Sequence, residues 1–162
     1  NDKAQDAVIA QNEAQRRSMW ARREAAAEIT VGFPGAVDTD VAVPLEAVPS
    51  FLKQITARVQ KIDPEGYEFY LSHLGDGNLH YTFYPSDRSG RFKEPITEAI
   101  EDVVLGLQGS FSAEHGIGLS KRNSMARRKD PVALEMMRAI KTALDPKNLM
   151  NPGKVYPEPE AR

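Results

Sequence analysis

The chain has 162 residues, no cysteine, and 21 Lys and Arg against 23 Asp and Glu. That length suits one domain able to bury ~68 to 70% of its unfolded surface. The near-neutral charge argues against nucleic acid or an anionic membrane as partner, and the missing cysteines exclude disulfides, thiolate metal sites and a cysteine nucleophile. No apolar run reaches the ~18 residues of a membrane span, and the polar start NDKAQDAVIAQNEAQ lacks the basic and apolar regions of a secretion signal. A soluble domain without a transmembrane segment is expected, cytoplasmic or peripheral at a membrane. Asn1 in place of Met suggests a piece of a longer protein.

In chain order, residues 1–29 are rich in Ala, Gln, Arg and Glu and predict one or two helices. VGFPGAV (31–37) reads as a loop and DVAVP (40–44) as a short strand ended by Pro44. LEAVPSFLKQITARVQKI (45–62) places Leu45, Val48, Leu52, Ile55 and Val59 three and four apart, the spacing of an amphipathic helix, with Pro49 in its first turn. After the turn signal DPEG (63–66), YEFYLSH (67–73) alternates with period two, and LHYTFYP (79–85) is its mate. PSDRSGRFKEP (85–95) is a polar loop, ITEAIEDVVLGL (96–107) a second amphipathic helix, and GSFSAEHGIG (109–118) a short strand running into a glycine loop. DPVALEMMRAIKTAL (130–144) is a third helix, with Asp130 as N-cap and Pro131 in the first turn. Strand, helix, strand, strand, helix, strand over 40–114 predicts an α+β, ferredoxin-like (split βαβ) antiparallel sheet with helices on one face and extra helices at both ends.

HLGDGNLH (73–80) holds two of the three histidines. With GDGN as the turn, His73 faces His80 and Leu74 faces Leu79, and opposed residues share a face with Cβ atoms ~4.5 to 5.5 Å apart. Two readings follow: a good turn flanked by half-buried histidines, or a turn that brings two imidazoles to one ion. EHGIG (114–118) supplies a candidate third ligand in Glu114, with His115 beside it, at the end of a strand that can neighbour the hairpin. Two imidazole nitrogens and a carboxylate oxygen suit Zn, Mn or Fe with positions left open for substrate. A strand-end carboxylate in solvent and a ring bonded to a loop carbonyl are the bland alternatives.

HLGDGNLH at 73–80, EHGIGLSKR at 114–122 and ALDPKNLMNPGKV at 143–155 resemble, in order and spacing, the C-terminal domain of the FAD-linked oxidases of the D-lactate, glycolate and D-2-hydroxyglutarate dehydrogenase type. MWARRE (19–24) and DVAVP (40–44) are weaker matches in the expected places. The resemblance implies that residues 1–162 are a single cap or substrate domain of a longer flavoenzyme, whose FAD is bound mainly by an N-terminal domain lying outside this chain. It also implies that His73, His80 and Glu114 match the ligands of a divalent metal, Zn or Mn. His115 matches a base that takes the α-hydroxyl proton of a 2-hydroxy acid as hydride moves to FAD. Arg23 matches an arginine holding the substrate carboxylate, with Arg22 as its rival, and Thr82 stands at a substrate-contacting position. Asn151 and Lys154 belong to a segment that approaches the flavin or the domain junction. The partners implied are the substrate and the protein's own FAD domain, with a homodimer one arrangement open to the whole enzyme.

The sequence departs from the hydroxyglutarate branch at three places. Asp38 stands where some relatives carry a second cation, Ala27 where that branch has a hydroxyl, and Thr82 where it has asparagine. Hydroxyglutarate is therefore not named as the substrate. KRNSMARRK (121–129) reads as a solvated basic loop or helix, with docking to an acidic surface as the alternative. Two rival functions use the same residues: a stand-alone metal or small-acid binding module, and a metal-assisted hydrolase with His115 as base.

Overall fold

Alternation decides the sheet. Strand β1 (Val37–Ala42) turns Val37, Thr39 and Val41 to one side and Asp38 and Asp40 to the other, and β3 (Asn78–Tyr84) does the same with Leu79, Tyr81 and Phe83 against His80 and Thr82. The computed structural model describes residues 6–25, 33, 35–73 and 75–157. Its three strands lie antiparallel in the order β1–β3–β2, with β2 spanning Tyr67–His73 as the period-two pattern predicts.

Helices α2 (Val48–Ile62) and α3 (Lys93–Gly106) cover one face of the sheet. Phe51, Ile55, Ile96 and Ile100, all fully buried, meet Leu79 and Tyr81 from the sheet in a single core. Tyr81 carries its polar end with it: the hydroxyl donates to Glu68 Oε2 at 2.6 Å, which satisfies a buried phenol and holds its pKa above the ordinary tyrosine value, burial being the larger cause and Glu68 the second.

Several boundaries move. Residues 45–47 form a separate 3₁₀ turn, so Leu45 is exposed, and the core face of α2 uses Phe51 where the sequence spacing selects Leu52, which is only partly buried. Helix α3 starts three residues early, at Lys93, taking Pro95 into its first turn, where a missing N–H costs nothing. Helix α1 (Glu13–Glu24) falls within the predicted helical stretch and buries none of its residues. Helix α4 (Arg122–Arg128) takes up the basic segment and docks it: Arg128 Nε donates to buried Glu101 at 2.9 Å, its guanidinium lies 2.8 Å from Asp102, and Arg127 pairs with Glu94. Acid on α3 thus receives base on α4. Helix α5 (Pro131–Leu144) is capped as expected, Asp130 accepting from the Ala133 N–H at 2.9 Å.

The largest correction concerns the fourth strand. In 109–118 only one bridge forms, Ser110 with Ala42, on the outer edge of β1 where a split βαβ sheet places its last strand. The ladder stops because the next N–H groups turn to the Asp40 carboxylate: that of Ala113 is shared between the carboxylate and the Asp40 backbone carbonyl, and those of Glu114 and His115 go to the carboxylate. A side-chain acceptor competes with the strand here and wins. The α+β, ferredoxin-like arrangement survives this shortening.

Candidate metal and substrate site

The face of the sheet away from α2 and α3 carries the residues the sequence singled out. Its geometry begins with the hairpin. The strands pair out to His73 opposite Asn78, with Leu71 opposite His80, so the turn is centred one residue earlier than GDGN suggests. His73 does not face His80 directly, and Leu79 faces Ser72; Leu74 lies outside the described residues. Moving the turn centre by one whole residue changes each pairing by two, and parity is kept: both imidazoles remain on one face, now diagonal neighbours. Their ring centroids are 5.3 Å apart, edge to face.

Gly77 explains the earlier turn. It has φ +76°, its carbonyl oxygen accepts from the Val43 N–H at 3.1 Å, and a Cβ there would meet the Val43 carbonyl oxygen at 2.1 Å. Only glycine allows that approach, which pins the hairpin tip to the end of β1. Asp76 completes the turn, its carboxylate accepting the Asn78 N–H at 3.1 Å.

Glu114 and His115 reach this face from the loop after Ser110. Glu114 Oε1 stands 3.0 Å from His80 Nε2, 3.6 Å from His73 Nε2 and 3.7 Å from His115 Nε2, and the His115 ring stacks on His80 at 5.1 Å between centroids. All four predicted residues come together. His80 is the most enclosed of them, while His73, Glu114 and His115 are about half exposed and open to a ligand.

Donors sharing one tetrahedral ion with bonds of ~2.0 to 2.1 Å lie about 3.3 Å from each other, and the two Glu114 to imidazole separations from His80 and His73 bracket that value. His73 and His80 thus stand at ligand spacing from Glu114, while His73 falls outside the group of four residues whose donor atoms all lie within 4.8 Å of one another. Asp40 is also close, since it, His80, Glu114 and His115 can each bring one donor atom within 4.8 Å of the others. Its Oδ2, however, is taken. Buried on β1 opposite His80, Asp40 accepts from the N–H groups of Ala113, Glu114 and His115 and from Lys121 Nζ. Burial opposes the charge of Asp40, but the His115 and Glu114 N–H groups and the Lys121 ammonium outweigh it and hold the carboxyl below its usual range. The side-chain oxygen of Asn78, cross-strand partner of His73, is buried without a hydrogen-bond partner.

The remaining predicted residues lie elsewhere or are engaged. Thr82 is buried on the same face as His80, and its hydroxyl donates to Asp38 Oδ1 at 2.8 Å. Arg23 sits exposed in the last turn of α1 beside Arg22. Ala27 lies outside the described residues. Asn151 and Lys154 line a separate cavity of about 260 Å³ with Arg138, Lys141 and Tyr156. A backbone bond links that segment to the loop of the site: the Val155 N–H donates to the Gly118 carbonyl at 2.9 Å, three residues after His115 in the chain. Sequence reasoning missed Asp40 and Lys121 as members of the site. The alternation that sends Asp40 to the same side as Asp38 was a usable signal; the reach of Lys121 across the loop was not.

Fold and site define an α+β domain that gathers three imidazoles around one carboxylate on an open sheet face. The family described as FAD linked oxidases, C-terminal domain, matches residues 1–155, and the chain belongs to it. It is 33% identical over 156 residues to a D-2-hydroxyglutarate dehydrogenase of Stutzerimonas stutzeri (strain A1501), covering 93% of this chain and 33% of that protein. A probable mitochondrial D-lactate dehydrogenase of Danio rerio is 35% identical over 156 residues, covering 93% and 31%. The mitochondrial D-2-hydroxyglutarate dehydrogenase of Arabidopsis thaliana is 33% identical over 153 residues, covering 94% and 27%. The chain thus spans about a third of the length of the curated relatives it matches. No helix among its described residues is long and apolar enough to cross a membrane.

Proposed function

We propose that the chain is the substrate-side domain of an FAD-dependent D-2-hydroxy-acid dehydrogenase whose flavin is held mainly by a further domain of the same protein. His73, His80 and Glu114 hold a divalent ion, Zn²⁺ or Mn²⁺, and His115 is the base. The observation that carries this reading is the convergence of three imidazoles on Glu114 Oε1.

A divalent ion in this set supplies Lewis-acid polarisation of the substrate's hydroxyl oxygen, and FAD supplies the hydride acceptor. The protein's own part is positional and acid–base. His115 Nε2 faces the cluster and accepts the hydroxyl proton, a task for which an imidazole is suited near neutral pH. Stacking on His80 fixes the plane of its ring. Arg23 is assigned to the substrate carboxylate, where a guanidinium fork gives two contacts and an orientation. Thr82, through its bond to Asp38, shapes the wall beside His80. Asn151 and Lys154 are assigned to the flavin side.

The test is anaerobic reduction of the flavin in the full-length protein by a panel of D-2-hydroxy acids, read by absorbance. Reduction by at least one acid, abolished by chelation and by His115→Ala, is the expected result. A full-length protein that carries flavin and metal yet is reduced by no 2-hydroxy acid overturns the reading.

A further inference from the structure

We propose that Asp40 and Lys121 are positioning residues for this site: the Asp40 carboxylate sets the backbone of residues 113–115 so that Glu114 and His115 project together toward His73 and His80, and Lys121 fixes that carboxylate in place. The proposal rests on the reading above, in which Glu114 is a ligand and His115 a base.

Asp40 has two roles open to it by distance, ligand or anchor, and its hydrogen bonds choose between them. Oδ2 accepts from Ala113 N at 3.1 Å, Glu114 N at 3.0 Å, His115 N at 2.9 Å and Lys121 Nζ at 3.3 Å, while Oδ1 accepts from Glu114 N at 3.3 Å. An ionised carboxylate offers about four lone-pair sites. A cation on Oδ2 would have to displace the Glu114 and His115 N–H groups as well as that of Ala113, which also donates to the Asp40 backbone carbonyl at 3.1 Å, and it would sit against the Lys121 ammonium. Three consecutive N–H groups aimed at one anion form the concave arrangement by which backbone commonly holds phosphate or carboxylate. Here the anion belongs to the protein itself.

The anchor is also referenced to the ligands. Asp40 lies opposite His80 in the β1–β3 register, so the cross-strand pair that carries one ligand carries the clamp for the other. The loop's position is set against His80 rather than against solvent. Lys121 extends the network, Nζ donating to Ser112 Oγ at 2.8 Å, and Ser112 Oγ to the Gly116 carbonyl at 2.9 Å. Residues 112–116 are thereby tied at both ends of the Glu114–His115 pair. Partners that orient ligands in this way contribute ~10- to 100-fold to metal affinity without touching the ion.

The experiment uses the full-length protein and its Asp40→Asn, Lys121→Met and Lys121→Arg variants. Three readouts are taken: amide hydrogen exchange of residues 113–115, Zn²⁺ affinity of the metal-free protein, and the absorption spectrum of the Co²⁺-saturated protein. In Asp40→Asn and Lys121→Met the three amides should exchange at least ~10-fold faster and Zn²⁺ affinity should fall ~10- to 100-fold. The saturated Co²⁺ spectrum should keep the wild-type shape, since no ligand has been removed, and Lys121→Arg should restore exchange and affinity. Lys121→Met carries the test if Asp40→Asn does not fold. Unchanged exchange and affinity overturn the proposal, and a Co²⁺ spectrum altered in Asp40→Asn makes Asp40 a ligand instead. A wild-type protein that binds neither Zn²⁺ nor Co²⁺ removes the functional reading by itself, while amide exchange still decides whether Asp40 holds the loop.

Discussion

His80 Nε2 lies 3.0 Å from Glu114 Oε1, the shortest of the three imidazole contacts that this carboxylate makes. One partner comes from the middle of a central strand and the other from a loop outside the ladder. The contact therefore reports whether strand and loop are correctly placed together. His80→Ala and Glu114→Ala should each lower Zn²⁺ affinity by more than the ~10- to 100-fold expected for loss of an outer partner, as measured by calorimetric titration of the metal-free protein. Both variants should keep the wild-type far-ultraviolet circular dichroism, because neither side chain belongs to the core.

Two glycines two positions apart in one turn should behave differently. Gly77→Ala places a methyl 2.1 Å from the Val43 carbonyl oxygen at φ +76°, whereas Gly75→Ala meets nothing within 4 Å. The first should cost more than about 2 kcal/mol, combining the left-handed penalty with the clash. The second should stay within about 0.5 kcal/mol. Urea unfolding of the two variants separates them.

Core usage on α2 is testable by the same means. Phe51 is fully buried against Tyr81, with ring centroids 6.0 Å apart, while Leu52 packs only at the edge of the core. Phe51→Ala should cost about 3 to 5 kcal/mol, and Leu52→Ala less than half of that. An equal loss in both would place the helix one residue out of rotation.

Acid should weaken the end of α5. The Lys141 ammonium beside Asp145, with the N–H groups of Met150 and Leu149, lowers the Asp145 carboxyl to about 2. Its folded pKa lies below the unfolded value of ~3.9, so the unfolded state binds the proton more readily. The stabilisation is fully present above that unfolded value and is lost as pH falls through about 2. Asp145→Asn should flatten the dependence of unfolding free energy on pH between ~4 and 2, as read by urea titration at several pH values.

The sequence shows the sheet face more reliably than its edges. Strand β2 reads correctly over all of Tyr67–His73 because alternation is a local property. The shared face of His73 and His80 survives an error in the turn, since that error shifts the pairing by two. The error itself arises from Gly77, whose approach to Val43 is a contact with a strand more than thirty residues away in the chain and leaves no mark in the hairpin's own pattern. The missing fourth strand has the same kind of cause. Residues 109–114 have strand character, and nothing in them shows that a carboxylate at position 40 will capture their amides. Glu114 and His115 could be read from composition and resemblance; the network that holds them is a product of tertiary structure.

The loop bearing Glu114 and His115 is held from both directions along the chain, by Asp40 on one side and by the Val155 N–H on the Gly118 carbonyl on the other. Its bonds to Asp40 span 73 to 75 residues of sequence. Contacts of such separation form only after long loops have closed, at an entropic cost met before any local reward. During refolding, α2 and α3 should form with the β2–β3 hairpin well before this loop is fixed, and the capacity to bind metal should be the last property to return.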